Sequence, residues 1–292
     1  MNVSKRTAAG VVASVAAAAL VFGTSVPASA ADSQLKIGAI VPLTGSLSFL
    51  VPPEIAGLHL AVDEINAAGG VLGKKVTLDI LDEADGDSPA VSQASATKHL
   101  ANKVDLIIGA ASSGRTRLII NKITGAKVVQ ISGSNTAPDL TNWKDNGFYF
   151  RTAPSDVLQG RVLGNKILAD GYSKVAFLTI QDPYGTGLQE NAAKSILSHN
   201  GTVVANEVFP ASSKNVNAQV DKVLASNPDA IAVISFDEVK VILPYLVKTK
   251  GWDATALYLV DGNTGDFSKD FTDFNIAGAQ GTIPGVIEIG RA

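Results

Sequence analysis

Small hydroxyl side chains, Ser112, Ser113, Ser132, Ser134 and Thr136, gather at or just past the ends of two apolar runs, Asp105 to Gly109 and Lys127 to Ser132. Hydroxyls and turn N–H groups are neutral donors that can hold a carboxylate without adding a cation to an enclosed site. Far along the chain, Asp261 follows the apolar run Ala256 to Val260 and can take a positive charge. A free amino acid carries both charges, and enclosing it is costly unless each finds a partner. The residues therefore define a candidate zwitterion site: Ser113 and Thr136 hydroxyls, with N–H groups around Ser134 and Thr136, for the carboxylate, and Asp261 for the ammonium. Tyr184, in the loop Gln181 to Gly187, is placed to cap such a ligand. The same residue types also serve as helix caps and turn formers, and Asp261-Gly262-Asn263 reads equally as a turn.

Other chemistries fail on spacing. Gly69 to Lys75 has the wrong glycine spacing for a phosphate loop, follows a helical stretch and has no Ser or Thr after its lysine. Gly185-Thr186-Gly187 lacks the third glycine of a dinucleotide fingerprint, and no G-x-S-x-G elbow occurs. His59, His99 and His199 have no paired ligand spacing and fit surface or helix-end roles. The acidic group Asp79, Asp82, Glu83, Asp85 and Asp87 fails as an EF-hand loop, because aligning Gly86 puts Leu81 and Ser92 at ligand positions. It reads as a solvated strand-to-helix loop. With no cysteine there is no disulfide, thiolate metal site or thiol nucleophile. No cofactor and no metal are expected.

The site residues need strands to carry them. From Leu35 onward, short Val/Ile-rich runs alternate with helical stretches, the pattern of α/β lobes with parallel sheets. Strands are expected at Leu35 to Val41, Val76 to Leu81, Asp105 to Gly109 and Lys127 to Ser132. Helices are expected from about Glu54 to Ala68 (with Ile55, Leu58, Val62 and Ile65 on one face), from Ser88-Pro89 to Asn102, and from Arg115 to Thr124. A helix from Ser155 to Asp170 leads to a second series with strands at Lys174 to Ile180, Thr202 to Phe209, Ala230 to Ser235 and Ala256 to Val260. Its helices run from Gly187 to His199, Val216 to Ala225 and up to Lys250. Phe148 to Pro154 and Gly281 to Gly285 read as crossovers between lobes. In open α/β sheets, ligands bind outside the carboxyl ends of strands, where Ser113, Ser134, Thr136, Tyr184 and Asp261 fall.

Lys5 and Arg6, the apolar run Ala8 to Phe22 and the small-residue sequence Pro27 to Ala30 form a secretory signal with a cleavage site. Its loss takes the net charge of the 292-residue chain from −3 to −5, and no basic run follows, which argues against nucleic acid and anionic membranes as partners. No cysteine follows the signal to carry a lipid, so a soluble, periplasmic or secreted monomer is expected.

The stretches Ile37 to Gly45, Gly57 to Gly70, Asp105 to Thr141 and Gln181 to Gly187 together resemble the type I periplasmic-binding-protein superfamily, and within it the leucine/isoleucine/valine-binding proteins of ABC transporters. The likeness runs from Leu35 to about Ile287. It implies two doubly wound parallel-sheet lobes joined by a hinge, with a signal peptide over 1–30, lobes over 31–150 and 151–284, and a return to the first lobe beginning at 285–292. It further implies a carboxylate contact from Ser113, a backbone contact from Ser134, both from Thr136, an ammonium partner at Asp261, and aromatic cleft walls at Phe49, Tyr184 and Phe236. Phe stands at 49 and 236 where Tyr is more usual, and Asp261 is shorter than the usual Glu. Relatives extend past the point where this chain stops, so the first lobe is expected to be incomplete and to expose apolar surface. The reading is a non-enzymatic solute-binding protein that delivers a small amino acid, branched-chain favoured, to an ABC permease. The alternatives are a sensor module for an amide, urea or aromatic acid, and an exported hydrolase, which the missing elbow and the lack of a strand-end histidine disfavour.

Overall fold

The computed structural model describes residues 34–84, 88–265, 267 and 269–284. The stretch expected to be an export signal, Asp85, Asp87 and the segment 285–292 lie outside the described residues.

Two five-stranded, all-parallel sheets carry the chain. The first uses β1 (Lys36–Val41), β2 (Thr77–Asp82), β3 (Leu106–Gly109), β4 (Val129–Ser132) and β5 (Tyr149–Arg151), in spatial order β2-β1-β3-β4-β5. The second uses β6 (Lys174–Ile180), β7 (Thr202–Phe209), β8 (Ala230–Ile234), β9 (Leu257–Val260) and β10 (Gln280–Thr282). Read from its β7 edge, the order β7-β6-β8-β9-β10 repeats the first. The central strands β6, β8 and β9 are apolar runs buried almost throughout, as strands covered on both faces must be. Each sheet reverses its winding beside its first strand, which opens a crevice at the strand carboxyl ends.

Helices α1 (Val51–Ala67), α2 (Pro89–Ala101) and α3 (Ser113–Gly125) serve the first lobe, and α4 (Asp156–Ala169), α5 (Pro183–Ser198), α6 (Asn217–Ala225) and α7 (Val239–Leu243) the second. Local chemistry starts three of them. Ser112 accepts from the Arg115 N–H, Ser155 from Val157 and Asp182 from Tyr184, each satisfying an orphan donor of its helix. Ser88 occupies the N-cap of α2 with Pro89 behind it, but its side chain makes no cap bond. Helix α7 continues as a π-helical turn, Pro244–Thr249, which carries the expected helix to its end near Lys250.

The cores are unequal. One contiguous cluster, built on β6, β8, β9, α4 and α5, fills the second lobe, whereas the first has two small ones, around Ile40, Ile107 and Ile119 and around Ile120, Leu140 and Tyr149. Helix α1 has no buried residue; the expected apolar face of Ile55, Leu58, Val62 and Ile65 is only half-buried, and Leu60 and Leu72 are 60% and 88% exposed.

Several expectations are corrected. Tyr149 to Arg151, expected within a crossover, is the edge strand of the first sheet, leaving Thr152 to Ser155 to make the passage. Gly281 and Thr282, also expected in a crossover, pair in parallel with Leu259 and Val260 as part of β10. His99 is fully buried against β1, with a ring nitrogen 3.0 Å from the Ala39 carbonyl oxygen, so it is a core residue. Glu83 does not belong to a solvated loop; it is fully buried and has a structural task at the site.

Candidate functional site

Every strand carboxyl end flanking the switch points contributes to one cavity of about 580 Å³, within the roughly 300–1,000 Å³ typical of small-molecule sites. Leu47, Phe49 and Leu50 follow β1; Ala111 to Ser113 follow β3; Gly133, Ser134 and Thr136 follow β4; and Thr152 to Pro154 follow β5. From the other sheet come Tyr184 after β6, Phe236 after β8, Asp261 and Gly262 after β9, and Pro284 after β10. All seven residues singled out in the sequence, Phe49, Ser113, Ser134, Thr136, Tyr184, Phe236 and Asp261, face this one space. Among the described residues the lining holds no Lys, Arg or His.

The donor side is held rigidly. Glu83 accepts from the N–H groups of Ala111 and Ser112 at 2.5 and 3.0 Å, which sets the turn after β3 and uses both donors. The Ser113 hydroxyl accepts from the Ala137 N–H at 3.3 Å, leaving its proton to donate into the cavity. The Ser134 hydroxyl lies between the Ala111 carbonyl, at 3.2 Å, and the Glu54 carboxyl, so its contribution to a ligand falls to its backbone. Asn135, fully buried, bridges the Ala110 and Ala111 carbonyls and accepts from the Tyr149 hydroxyl at 2.8 Å, tying β3, β4 and β5 ends together.

The acidic side is equally prepared. One oxygen of Asp261 accepts from the Tyr184 hydroxyl at 2.7 Å and from Gln159 Nε2 at 2.9 Å, and the Tyr184 hydroxyl in turn accepts from the Gly262 N–H at 3.1 Å. Burial nevertheless holds the Asp261 carboxyl above the usual carboxylate range, because neutral donors do not repay the lost hydration of a charge. Asn263 stitches Val233, Ser235 and Val260, which fixes the turn bearing Asp261. Glu238 accepts from the Phe236 N–H at 2.9 Å, and Phe236 stacks on Tyr184 with ring centroids 5.3 Å apart. Phe49 forms a looser wall, 44% exposed.

Sequence reasoning missed the layer behind these residues. Asp156 and Gln159, one turn apart on α4, lie behind Asp261 and Thr136. Asp156 is fully buried, and neither of its oxygens has a partner of good geometry among the described residues. The Thr136 hydroxyl is near but offsets little, and the carboxyl is pushed up to about 8, by burial first and then by the Asp261 charge. Glu54 of α1 is likewise raised to about 7 by burial, partly offset by Ser134. The sequence shows Asp156 only as an acid in the first turn of a helix, where the macrodipole alone would explain it.

Two lobes of repeated winding order, with a crevice between strand ends that offers neutral donors on one wall and a carboxylate on the other, define the type I periplasmic-binding-protein architecture. The family model described as "Periplasmic binding protein" matches residues 34–243. The chain belongs to the periplasmic binding protein family, on its leucine/isoleucine/valine-binding-protein-like branch. It is 30% identical over 203 residues to the Leu/Ile/Val-binding protein BraC3 of Rhizobium johnstonii, a match covering 69% of this chain and 54% of that one, so the chain spans about half the length of that relative. The branched-chain amino acid transporter substrate-binding protein LivJ of Streptococcus pneumoniae, solved with isoleucine, superposes with TM-score 0.69 at 30% identity, over 82% of this chain and 67% of that one. A solute-binding protein of an ABC transporter from Rhodopseudomonas palustris, solved with 3,4-dihydroxybenzoic acid, shares the fold at TM-score 0.67 and 20% identity, over 78% of this chain and 61% of that one. Proteins of this family act outside the cytoplasm on small-molecule ligands. No helix among the described residues is long and apolar enough to cross a membrane.

Proposed function

We propose that the chain is an exported, monomeric solute-binding protein that encloses one amino acid, of the branched-chain type, and presents it to an ABC permease. The observation carrying this reading is the placement of Asp261 in the same cavity as the Ser113 hydroxyl and the Thr136 turn, among apolar walls. In the proposed pose the ligand carboxylate takes Ser113 together with the Ser134 and Thr136 backbone and the Thr136 hydroxyl. Its ammonium takes Asp261, and the aliphatic side chain lies against Leu47, Leu50, Phe49 and Phe236. Each end of the ligand then touches a different lobe, which is the condition for ligand binding to favour the closed state. The reading needs no bond-making chemistry and no cofactor, and the acidic net charge argues against nucleic acid as a partner.

The Rhizobium and Streptococcus relatives support the amino-acid reading through what their own names state. A second reading, an aromatic-acid or amide binder acting in transport or sensing, is favoured by the stacked Tyr184 and Phe236 and by the Rhodopseudomonas relative. An aromatic acid has a carboxylate for the donor wall but nothing to repay Asp261. Titration calorimetry with isoleucine, leucine and valine, against 3,4-dihydroxybenzoate, separates the two. We expect the amino acids to bind and Asp261→Ala to weaken them by about 2–5 kcal/mol, as removal of one partner of an enclosed charge pair does. Binding of the aromatic acid alone, or unchanged isoleucine affinity in Asp261→Ala, rejects the amino-acid reading.

A further inference from the structure

Asp182 joins the two lobes outside the cavity. One carboxylate oxygen caps its own helix, accepting from the Tyr184 N–H at 2.8 Å. The other reaches into the first lobe, where it accepts from the Ser112 hydroxyl at 3.2 Å, and the Gly114 N–H donates to the same carboxylate. Ser112 is the N-cap of α3 and accepts from the Arg115 N–H at 3.2 Å, so a relay of donors runs from α3 to Asp182. Two helix amino ends, one from each lobe, thus converge on one carboxylate, the charge both dipoles favour.

The approach is close enough to need glycine. A Cβ on Gly114 would lie 2.2 Å from Asp182 Oδ2 and 3.3 Å from Pro183 Cδ. Asp182 cannot turn aside cheaply, because its other oxygen is engaged by α5. Two further contacts brace the joint. Gly187 of α5 meets Pro138, where a Cβ would lie 2.5 Å from the ring, and Leu47, carried by the first lobe, is 3% exposed within the core of the second.

We propose that Asp182 is a clasp, a positioning residue that holds the cleft closed by bridging the amino ends of α3 and α5, so that ligand affinity depends on a contact outside the cavity. A ligand that binds only the closed arrangement has its affinity reduced by the fraction of protein that is closed, and the clasp raises that fraction. The affinity consequence rests on the solute-binding reading, whereas the clasp itself does not.

The test is arranged accordingly. The chain has no cysteine, so Leu118→Cys on α3 and Glu190→Cys on α5, both exposed positions, give a unique spin-label pair across the joint. Electron-spin distance distributions are compared in the ligand-free full chain, with and without Gly114→Ala or Asp182→Asn. Gly114→Ala would place a Cβ 2.2 Å from Asp182 Oδ2 and so wedges the joint by sterics, showing whether the α3–α5 contact limits opening. Asp182→Asn, which adds no bulk, isolates the bridging role, because a merely structural role there predicts an unchanged distribution. Asn at 182 retains the acceptor for Tyr184 and is as good an N-cap as Asp. We expect both variants to move population to longer distances and to weaken isoleucine about tenfold through the smaller closed fraction, with Tm retained in Asp182→Asn. An unchanged distribution in either folded variant overturns the clasp. Should isoleucine fail to bind the unaltered chain, the amino-acid reading falls while the distance measurement still decides the clasp.

Discussion

Asp156 and Glu54 put protons behind the wall of a site that must also accept charge. The Asp156 carboxyl is raised to about 8 from the 3.8 it has in the open chain, and Glu54 to about 7 from 4.5. Between about pH 4 and pH 8 the folded state therefore binds more protons than the unfolded chain, and stability falls as pH rises through that window and levels off above it. We expect the Tm of the ligand-free protein to decline from pH 5 to pH 8, and Asp156→Asn to flatten part of the decline, the rest staying with Glu54 and the other carboxyls that burial raises, Asp182 and Asp261. Thermal melts followed by circular dichroism check this; an equal slope in the variant would clear Asp156. At this scale, hydroxyls after strands and a carboxylate after β9 were legible because strand ends are where parallel sheets expose groups. Asp156, Gln159, Glu83 and Asp182 were not, because whether a polar side chain faces water or a neighbouring turn is decided by elements distant in sequence.

Among the elements, the central strands were the plainest, since a run such as Lys174 to Ile180 has no other way to bury itself, and the observed bounds coincide; the bounds of the half-buried edge strand Thr202 to Phe209 coincide as well. The edge strands β5 and β10, three residues each, carry too little pattern to read. Their pairing comes from neighbours already in place. Helices α4 and α5 meet through Gly160 and Gly164, four residues apart on one face; a Cβ on Gly160 would lie 2.8 Å from the Ala192 nitrogen, and one on Gly164 would lie 2.7 Å from the Ala192 oxygen. Backbone on one side cannot yield as a side chain can. We expect Gly160→Leu to destabilise the protein by about 1–3 kcal/mol or more, as overpacking does, measured by urea denaturation; a stability within about 0.5 kcal/mol of the parent would show that the helices can part freely. Because α4 also carries Asp156 and Gln159, the same substitution should weaken ligand binding.

For the whole molecule, the contrast between one large core and two small ones sets an order of opening. Helix α1 buries no residue, and the second lobe holds its largest side chains, Tyr258, Phe177 and Phe209, almost fully enclosed. Local opening energies follow buried apolar contacts. We expect native-state hydrogen exchange to release the amides of α1 and β2 through lower-energy openings than those of β6, β8 and β9, with isoleucine protecting residues in both lobes. Uniform protection across the two sheets would contradict this. Exposed apolar side chains occur in both lobes, Leu60 and Leu72 in the first and Val157, Leu158 and Leu197 in the second.

The amino-acid sequence alone determined the fold class, the repeated βα series, the central strands and the positions at strand ends where a ligand could be met, because periodicity and strand-end chemistry are local and the resemblance spans most of the chain. Tertiary structure decided what surrounds those positions: which donors are already spent, that Glu83 and Asn135 brace the turns, that Asp156 stands buried behind Asp261, and that Asp182 links α3 to α5. These depend on residues some 20 to 100 positions apart being brought together, most at hydrogen-bond distance, and burial, not residue type, sets how costly a charge becomes there.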